Sequence, residues 1–296
     1  MHILKGYTKQ EISWMMYDWA NSAHSVIIVT LLPIFFDTVA GYTADSVSSM
    51  STWGYATSIA MLIVALAAPF LGVFGDIRGM RKKLFSFFML LGVAACAGMA
   101  FTPGMDFTSG PVAAGKVASL ILVLYIVSVI GFDASAIYYD AFLTDVTTEN
   151  RMDKVSTMGY GLGYIGGSTI PLLIFLIMNL VGVPMLTCLA FVFGLTAVWW
   201  LAFSLPLLKN CEQTSGKPYE KGDVARSIKG VGTTIKEIIA NKPMLIYILS
   251  YFFYIDGVHT VISMATTYGT NLGLDSTGMM LALLLVQILG LPFCLL

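Results

Sequence analysis

The sequence predicts an all-α polytopic membrane protein, and three observations carry that prediction. Hydrophobic residues make up 57% of the 296 and charged residues only 11%, where a soluble domain carries about 25% charged. The mean hydropathy is +0.81. The apolar residues gather in runs of about 20 or more, the length that crosses a bilayer core as helix. Porin strands would instead alternate apolar and polar over about 10 residues. These figures exclude a soluble globular protein and a disordered chain. The formal net charge of −1 offers no basic field to a nucleic acid.

Eight spans follow in order. The first, 13–37, comes after Lys5 and Lys9, and its Asp18, Asn21 and His24 make a poor signal-peptide core. The second, 52–75, and the third, 84–103, flank a loop with Arg78, Arg81, Lys82 and Lys83. The fourth, 116–143, leads to Arg151 and Lys154. The fifth and sixth, 155–178 and 183–207, share one stretch without charge between Lys154 and Lys209, which Asn179, Gly182 and Pro184 break into a hairpin. A polar segment then precedes the seventh span, 244–270, and the eighth, 276–296.

The polar segment carries Lys209, Lys217, Lys221, Arg226, Lys229, Lys236 and Lys242. With the other basic residues above, these fall on one side of the bundle, and only Lys116 falls on the other. The positive-inside rule then predicts a cytoplasmic amino terminus. Residues 215–218, Ser-Gly-Lys-Pro, read as a flexible linker. Residues 224–240 read as an amphipathic helix on the membrane surface, with Val224, Ile228, Val231, Ile235, Ile238 and Ile239 along one side. The expected organisation is a six-helix transmembrane bundle over 1–207, a cytoplasmic linker loop with its amphipathic helix over 208–243, and the first two helices of an incomplete second bundle over 244–296.

An internal repeat supports that division. Asn21-Ser-Ala-His24-Ser-Val-Ile27 resembles Asp256-Gly-Val-His259-Thr-Val-Ile262 at an offset of 235 residues. Cys96, Cys188, Cys211 and Cys294 are far apart and show no metal-ligand or disulfide spacing. No ATP-binding, hydrolase or metalloprotease motif occurs, so the sequence predicts no cofactor, no metal and no enzyme.

An ionisable group at mid-membrane costs about 2.5–3.5 kcal/mol and needs a reason to be there. Asp18, Asn21, Ser22 and Ser25 share one face of the first span, with His24 at its edge. Asp256, His259, Thr260, Ser263 and Thr267 share one face of the seventh. Asp133 and Asp140 share a face of the fourth, with Tyr139 beside Asp140. Three polar stripes predict a shared wet cavity. Asp18, Asp133 and Asp256 there bind a cation or an amine, and Asn21, Ser22 and Thr260 supply neutral hydrogen bonds. For His24 and His259 packing and proton relay both stand. For Asp140 an ion pair with a cytoplasmic arginine such as Arg151 stands beside a substrate contact. Gly159, Gly163 and Gly167, four apart, predict close helix packing.

The loop Gly72-Val-Phe-Gly-Asp76-Ile-Arg78-Gly79-Met-Arg81-Lys82-Lys83 resembles the signature loop of the major facilitator superfamily at Gly72, Asp76, Gly79, Arg81 and Lys82. The first basic residue is displaced from the position of Ile77 to Arg78. Tyr17-Asp18-Trp19-Ala20-Asn21-Ser22-Ala23, Tyr139-Asp140-Ala-Phe-Leu and Gly159-Tyr-Gly-Leu-Gly-Tyr-Ile-Gly-Gly167 resemble the vacuole-effluxer-like branch, which includes autophagy-related amino-acid effluxers. The resemblance implies a major-facilitator-type bundle of twelve spans in two six-helix halves. It implies a secondary transporter that moves a small solute, amino acids by analogy, by alternating access, with H+ or Na+ as coupling cation. It gives the loop from Gly72 to Lys82 a gating role. The fourth span lacks the arginine of many proton-coupled members. The chain reaches Leu296 inside an apolar run, which predicts a truncated member; a nonfunctional fragment, a membrane scaffold and an intramembrane enzyme are the other readings. The short N-terminal lead predicts a bacterial inner membrane and the lipid bilayer as environment.

Overall fold

The structure is a computed structural model that describes residues 4–43, 46–218 and 223–295. Lys221 lies outside the described residues, as do the side chains of Val224, Arg226 and Ile228. Among the described residues eight helices are long and apolar enough to cross a membrane, and each of the eight expected spans is one of them.

Helix α1, Lys9–Ala40, opens with a capping box. The Thr8 hydroxyl accepts from the Glu11 N–H at 3.2 Å, and Glu11 Oε2 accepts from the Thr8 N–H at 2.7 Å. Helices α2, Ser46–Gly75, and α3, Arg81–Met99, follow. Helix α4 is Pro111–Val146, with proline in the first turn where a missing N–H costs nothing. Helix α5, Met152–Leu162, a π-helical segment Gly163–Thr169 and helix α6, Ile170–Leu180, form one continuous span. Helix α7 is Met185–Asn210, α8 Asp223–Ala240, α9 Lys242–Asn271 and α10 Ser276–Leu295. The helices overrun the apolar spans by several residues. Apolar windows stop at the first charge, whereas the helical backbone continues through polar turns. Thirty-six residues of α4 span about 54 Å, well beyond a hydrocarbon core of about 30 Å.

α1 is the centre of the first six-span bundle. It packs against α4, α5 with its π segment, and α7. α3 crosses α4 so closely that a Cβ on Gly131 would lie 2.6 Å from Gly92 Cα. An aromatic layer fills the half near Lys9, Arg81 and Arg151, here named the basic end. Trp14 stacks on Tyr139 at 4.3 Å, Tyr17 meets Phe85 edge-on at 4.8 Å, and His24 stacks on Phe132 at 4.7 Å.

Helix α8 packs against α2 and α9. Val231 and Ile238 are half-buried, while Ile235 and Ile239 are exposed. The expected flexible linker at 215–218 is corrected. Residues 211–217 are fixed to the basic end, and Ile77 and Lys217 form a parallel β-bridge. The polar side chains that bind this segment lie in other helices, far away in sequence, so local composition cannot report them.

Candidate functional site

The half-buried face of α1 carries Asp18, Ser22, Ser25 and Val29, one turn apart. Helix α9 meets this face of α1 with one end of its own stripe. Thr266 donates to the Val29 carbonyl at 3.5 Å, and Ser263, Thr266 and Thr267 are buried. Asp256, His259 and Thr260 are exposed. The contact lies toward the Ala40 and Asn271 ends of the two helices. The Val29–Thr266 contact sets a spatial register of 237 residues, within two of the sequence repeat, so Asp256 and Asp18 lie at nearly one depth.

Asp18 is held by three helices. Tyr139 on α4 donates its hydroxyl to Asp18 Oδ2 at 2.8 Å. A Cβ at Gly159 on α5 would lie 2.6 Å from the same oxygen. Gly163 faces Ser22 Oγ at 2.5 Å in the same sense, and Gly167 faces the Trp19 carbonyl and Ser22 Cβ. The three glycines therefore seat α5 and the π segment directly on the polar face of α1. At Gly166 a Cβ would overlap the Trp19 ring. The wide π turn and the missing side chains together make room for that indole.

Asn21 is buried at 8% exposure, beside the stripe. On α4, Asp133 is half-buried and Asp140 exposed. His24 is placed elsewhere. It is 1% exposed, packs against Phe132 and Trp200, and its Nε2 lies 3.2 Å from Ser128 Oγ. It belongs to the core of the first bundle and not to the polar stripe, because a residue two positions from Ser22 projects from the other side of the helix.

Three salt bridges occur among the described residues, and one of them corrects the expected Asp140–Arg151 pair. Arg151 pairs with Glu11 at 2.8 Å and not with Asp140. Arg151 Nε donates to Glu11 Oε1 and Nη2 to Oε2, each at 2.8 Å, and Thr147 adds a hydroxyl at 2.6 Å. Arg81 pairs with Asp145 at the end of α4, where Asp145 has no exposed side chain. Its approach to Asp76 is 3.9 Å, and Asp76 is 83% exposed. No ion pair joins Asp256 to His259 within this set. Glu11, Asp145 and Tyr139 are the residues that sequence reasoning missed. The Thr8-x-x-Glu11 spacing was a visible signal for Glu11, but as a cap.

In the signature loop, Gly79 has φ +80° and makes the turn. Nothing lies within 4 Å of a Cβ on Gly72, so that glycine makes no close packing contact. Gly75 makes one, facing the Tyr138 ring at 2.9 Å. Arg78 is exposed and uses its backbone N–H on the Lys217 carbonyl at 3.0 Å, while Lys82 Nζ donates to the Cys211 carbonyl at 3.1 Å.

Eight membrane-length helices, six in the first bundle centred on α1 and two seated against α1, α2 and α5, define an integral multi-pass membrane protein with the major facilitator fold. A crystal structure of a D-xylose-proton symporter superposes with a TM-score of 0.66 at 16% identity, over 96% of this chain and 66% of that one. The chain belongs to the family described as "Vacuole effluxer Atg22 like", which it matches over residues 42–151 and 143–292. It is 39% identical over 299 residues to the "Uncharacterized MFS-type transporter YxiO" of Bacillus subtilis, covering 98% of this chain and 67% of the relative. It is 26% identical over 148 residues to "Autophagy-related protein 22-1" of Penicillium rubens, covering 46% of this chain and 25% of that protein. The chain thus spans about two thirds of the Bacillus relative and a quarter of the fungal one.

Proposed function

We propose that the protein is part of a secondary transporter that moves a small solute across a membrane by alternating access. The observation that carries this reading is the pair of polar stripes on α1 and α9, in contact at one end. Transporters built from repeats bind solute at such an interface near the bilayer midplane. Asp18, Asp133 and Asp256 provide negative charge for a cationic group, either a coupling H+ or Na+ or the amine of an amino acid. Asn21, Ser22 and Thr260 provide neutral hydrogen bonds, and His259 lies one turn from Asp256. Family membership and the transporter relatives support transport, and amino acids are the solute class suggested by the effluxer branch. The basic end is read as cytoplasmic in a bacterial inner membrane. Residues 1–207 and 244–296 are read as the two bodies that rock, joined by 208–243. A non-enzymatic role belongs to this reading.

The test is uptake of labelled amino acids into proteoliposomes under an imposed H+ or Na+ gradient, with wild type beside Asp256→Asn. Loss of transport with normal membrane insertion is the expected result. Transport at the wild-type rate in Asp256→Asn would sink the site assignment.

A further inference from the structure

The segment after α7 makes an unusual set of contacts. Asn210 Nδ2 donates to Ser13 Oγ on α1 at 2.9 Å. Gln213 then uses both ends of its amide on the α2–α3 loop. Its Oε1 accepts from the Gly79 N–H at 2.8 Å and the Arg81 N–H at 3.2 Å. Its Nε2 donates to the Gly75 carbonyl at 3.0 Å. Met80, the N-cap residue of α3, offers no side-chain cap. One glutamine therefore serves the free N–H groups at the start of α3 and a free carbonyl at the end of α2.

Thr214 and Ser215 continue the attachment. Asp145 Oδ1 accepts from both of their backbone N–H groups, at 3.1 and 2.9 Å, and from both hydroxyls, at 2.8 Å each. Arg81 Nη1 donates to Ser215 Oγ at 3.2 Å. Gly216 has φ +120°, and a Cβ there would lie 2.8 Å from the Asp76 carbonyl. Lys217 closes the segment by donating its N–H to that carbonyl at 3.1 Å and accepting from Arg78 at 3.0 Å.

We propose that residues 211–217 form a latch that belongs to the first helix bundle, and that Gln213 is its pin. The connector between the bundles is then anchored to the first bundle as far as Lys217. A released latch would add seven residues, up to about 25 Å of extended chain, to the tether that limits how far the basic end opens. The latch holds the signature loop, the end of α4 and the connector in one hydrogen-bonded unit. Separation of the bundles and the position of the α2–α3 loop are coupled through it. The effect on transport rests on the transporter reading above, whereas the latch itself does not.

Cys211 gives a readout independent of transport. It is fully buried, its Sγ donates to the Gln10 carbonyl at 3.6 Å, and burial pushes its thiol up to about 12. A latched Cys211 reacts slowly with a maleimide because little thiolate is present and access is blocked. The experiment labels the full chain in detergent micelles at pH 7.5 and maps modified cysteines by mass spectrometry, for wild type, Gln213→Ala and Gln213→Glu. The expected result is Cys211 labelling about tenfold faster in Gln213→Ala, with Cys96 still protected. Gln213→Glu, which keeps the acceptor for Gly79 and Arg81, should fall between the two. Equal Cys211 rates in wild type and Gln213→Ala would overturn the proposal. So would a parallel rise at Cys96, since Gln213 would then hold the whole bundle and not a separable latch. If the latch result holds but no solute is transported, the transporter reading fails alone.

Discussion

Tyr139 donates its hydroxyl to the Asp18 carboxylate at 2.8 Å, and its own ring is fixed by Trp14. The Trp14 indole stacks on Tyr139 at 4.3 Å and donates Nε1 to the Tyr139 carbonyl at 2.9 Å. The donor is thus placed before any solute arrives. Hydrogen bonds to charged groups contribute about 1.5–3 kcal/mol. Tyr139→Phe keeps the stack and removes the donor, so it should lower the unfolding midpoint in detergent and slow transport several-fold. Asp18→Asn retains an acceptor for Tyr139 while removing the charge. It should fold normally and lose transport. Wild-type transport in Asp18→Asn would mean that Asp18 only ties helices together.

The glycines of the fifth span give a second prediction. At Gly163 a Cβ would meet Ser22 Oγ at 2.5 Å, and at Gly167 it would press on backbone of α1. Backbone cannot move aside as a side-chain tip can. Gly167→Ala should therefore destabilise by about 1–3 kcal/mol, the usual cost of overpacking, with a smaller effect at Gly163. Gly72→Ala serves as the comparison, because nothing lies within 4 Å of its Cβ. It should be neutral or slightly stabilising, since alanine is the better helix former. Thermal melts of the detergent-solubilised variants check the order.

A third prediction concerns the clamp between α1 and the turn before α5. Glu11 is 1% exposed and accepts four hydrogen bonds, from Thr8, Thr147 and twice from Arg151. Arg151 keeps 36% of its side chain exposed, so solvent screens its charge, and the loss on removing Glu11 falls mainly on the hydrogen-bonding groups it serves inside the protein. Glu11→Ala should unfold well before Asp140→Ala. A double-mutant cycle should give a resolvable coupling for Glu11 with Arg151 and none for Asp140 with Arg151.

These residues also show where sequence reasoning reaches and where it stops. The eight spans were legible because a bilayer demands long uninterrupted apolar runs, a constraint local in sequence. The stripe of Asp18, Ser22 and Ser25 was legible from helical spacing. For His24, where packing and proton relay both stood, the structure gives packing. Helical period sets the angle between His24 and Ser22 but not which neighbours each side of the helix meets. Partners far apart in sequence were hidden. Glu11 meets Arg151 across 140 positions, and Gln213 meets Gly79 across 134. Nothing in either local segment announces those pairings.

The signature loop yields the last prediction. By family resemblance Asp76 is the acidic residue of the loop, yet its side chain is 83% exposed and 3.9 Å from Arg81. The Asp145 side chain instead has no exposed surface, and it binds Arg81 together with the Thr214 and Ser215 groups of the connector. An exposed ion pair is worth about 0–1 kcal/mol. A buried carboxylate holding a 6% exposed arginine is a different case, because its loss leaves the guanidinium only the solvent-exposed Asp76 at 3.9 Å as a counter-charge. Arg81 Nη1 would keep the Ala141 carbonyl at 3.0 Å, a partner that carries no charge. Asp145→Ala should therefore lower the unfolding midpoint far more than Asp76→Ala, and it should free the connector as Gln213→Ala does. Asp76→Ala should leave stability within about 0.5 kcal/mol. If it also slows transport, Asp76 acts in a conformation with a different partner for its carboxylate, and its exposure here marks the state in which that contact is open. Parallel melts and uptake assays on the two variants separate these roles.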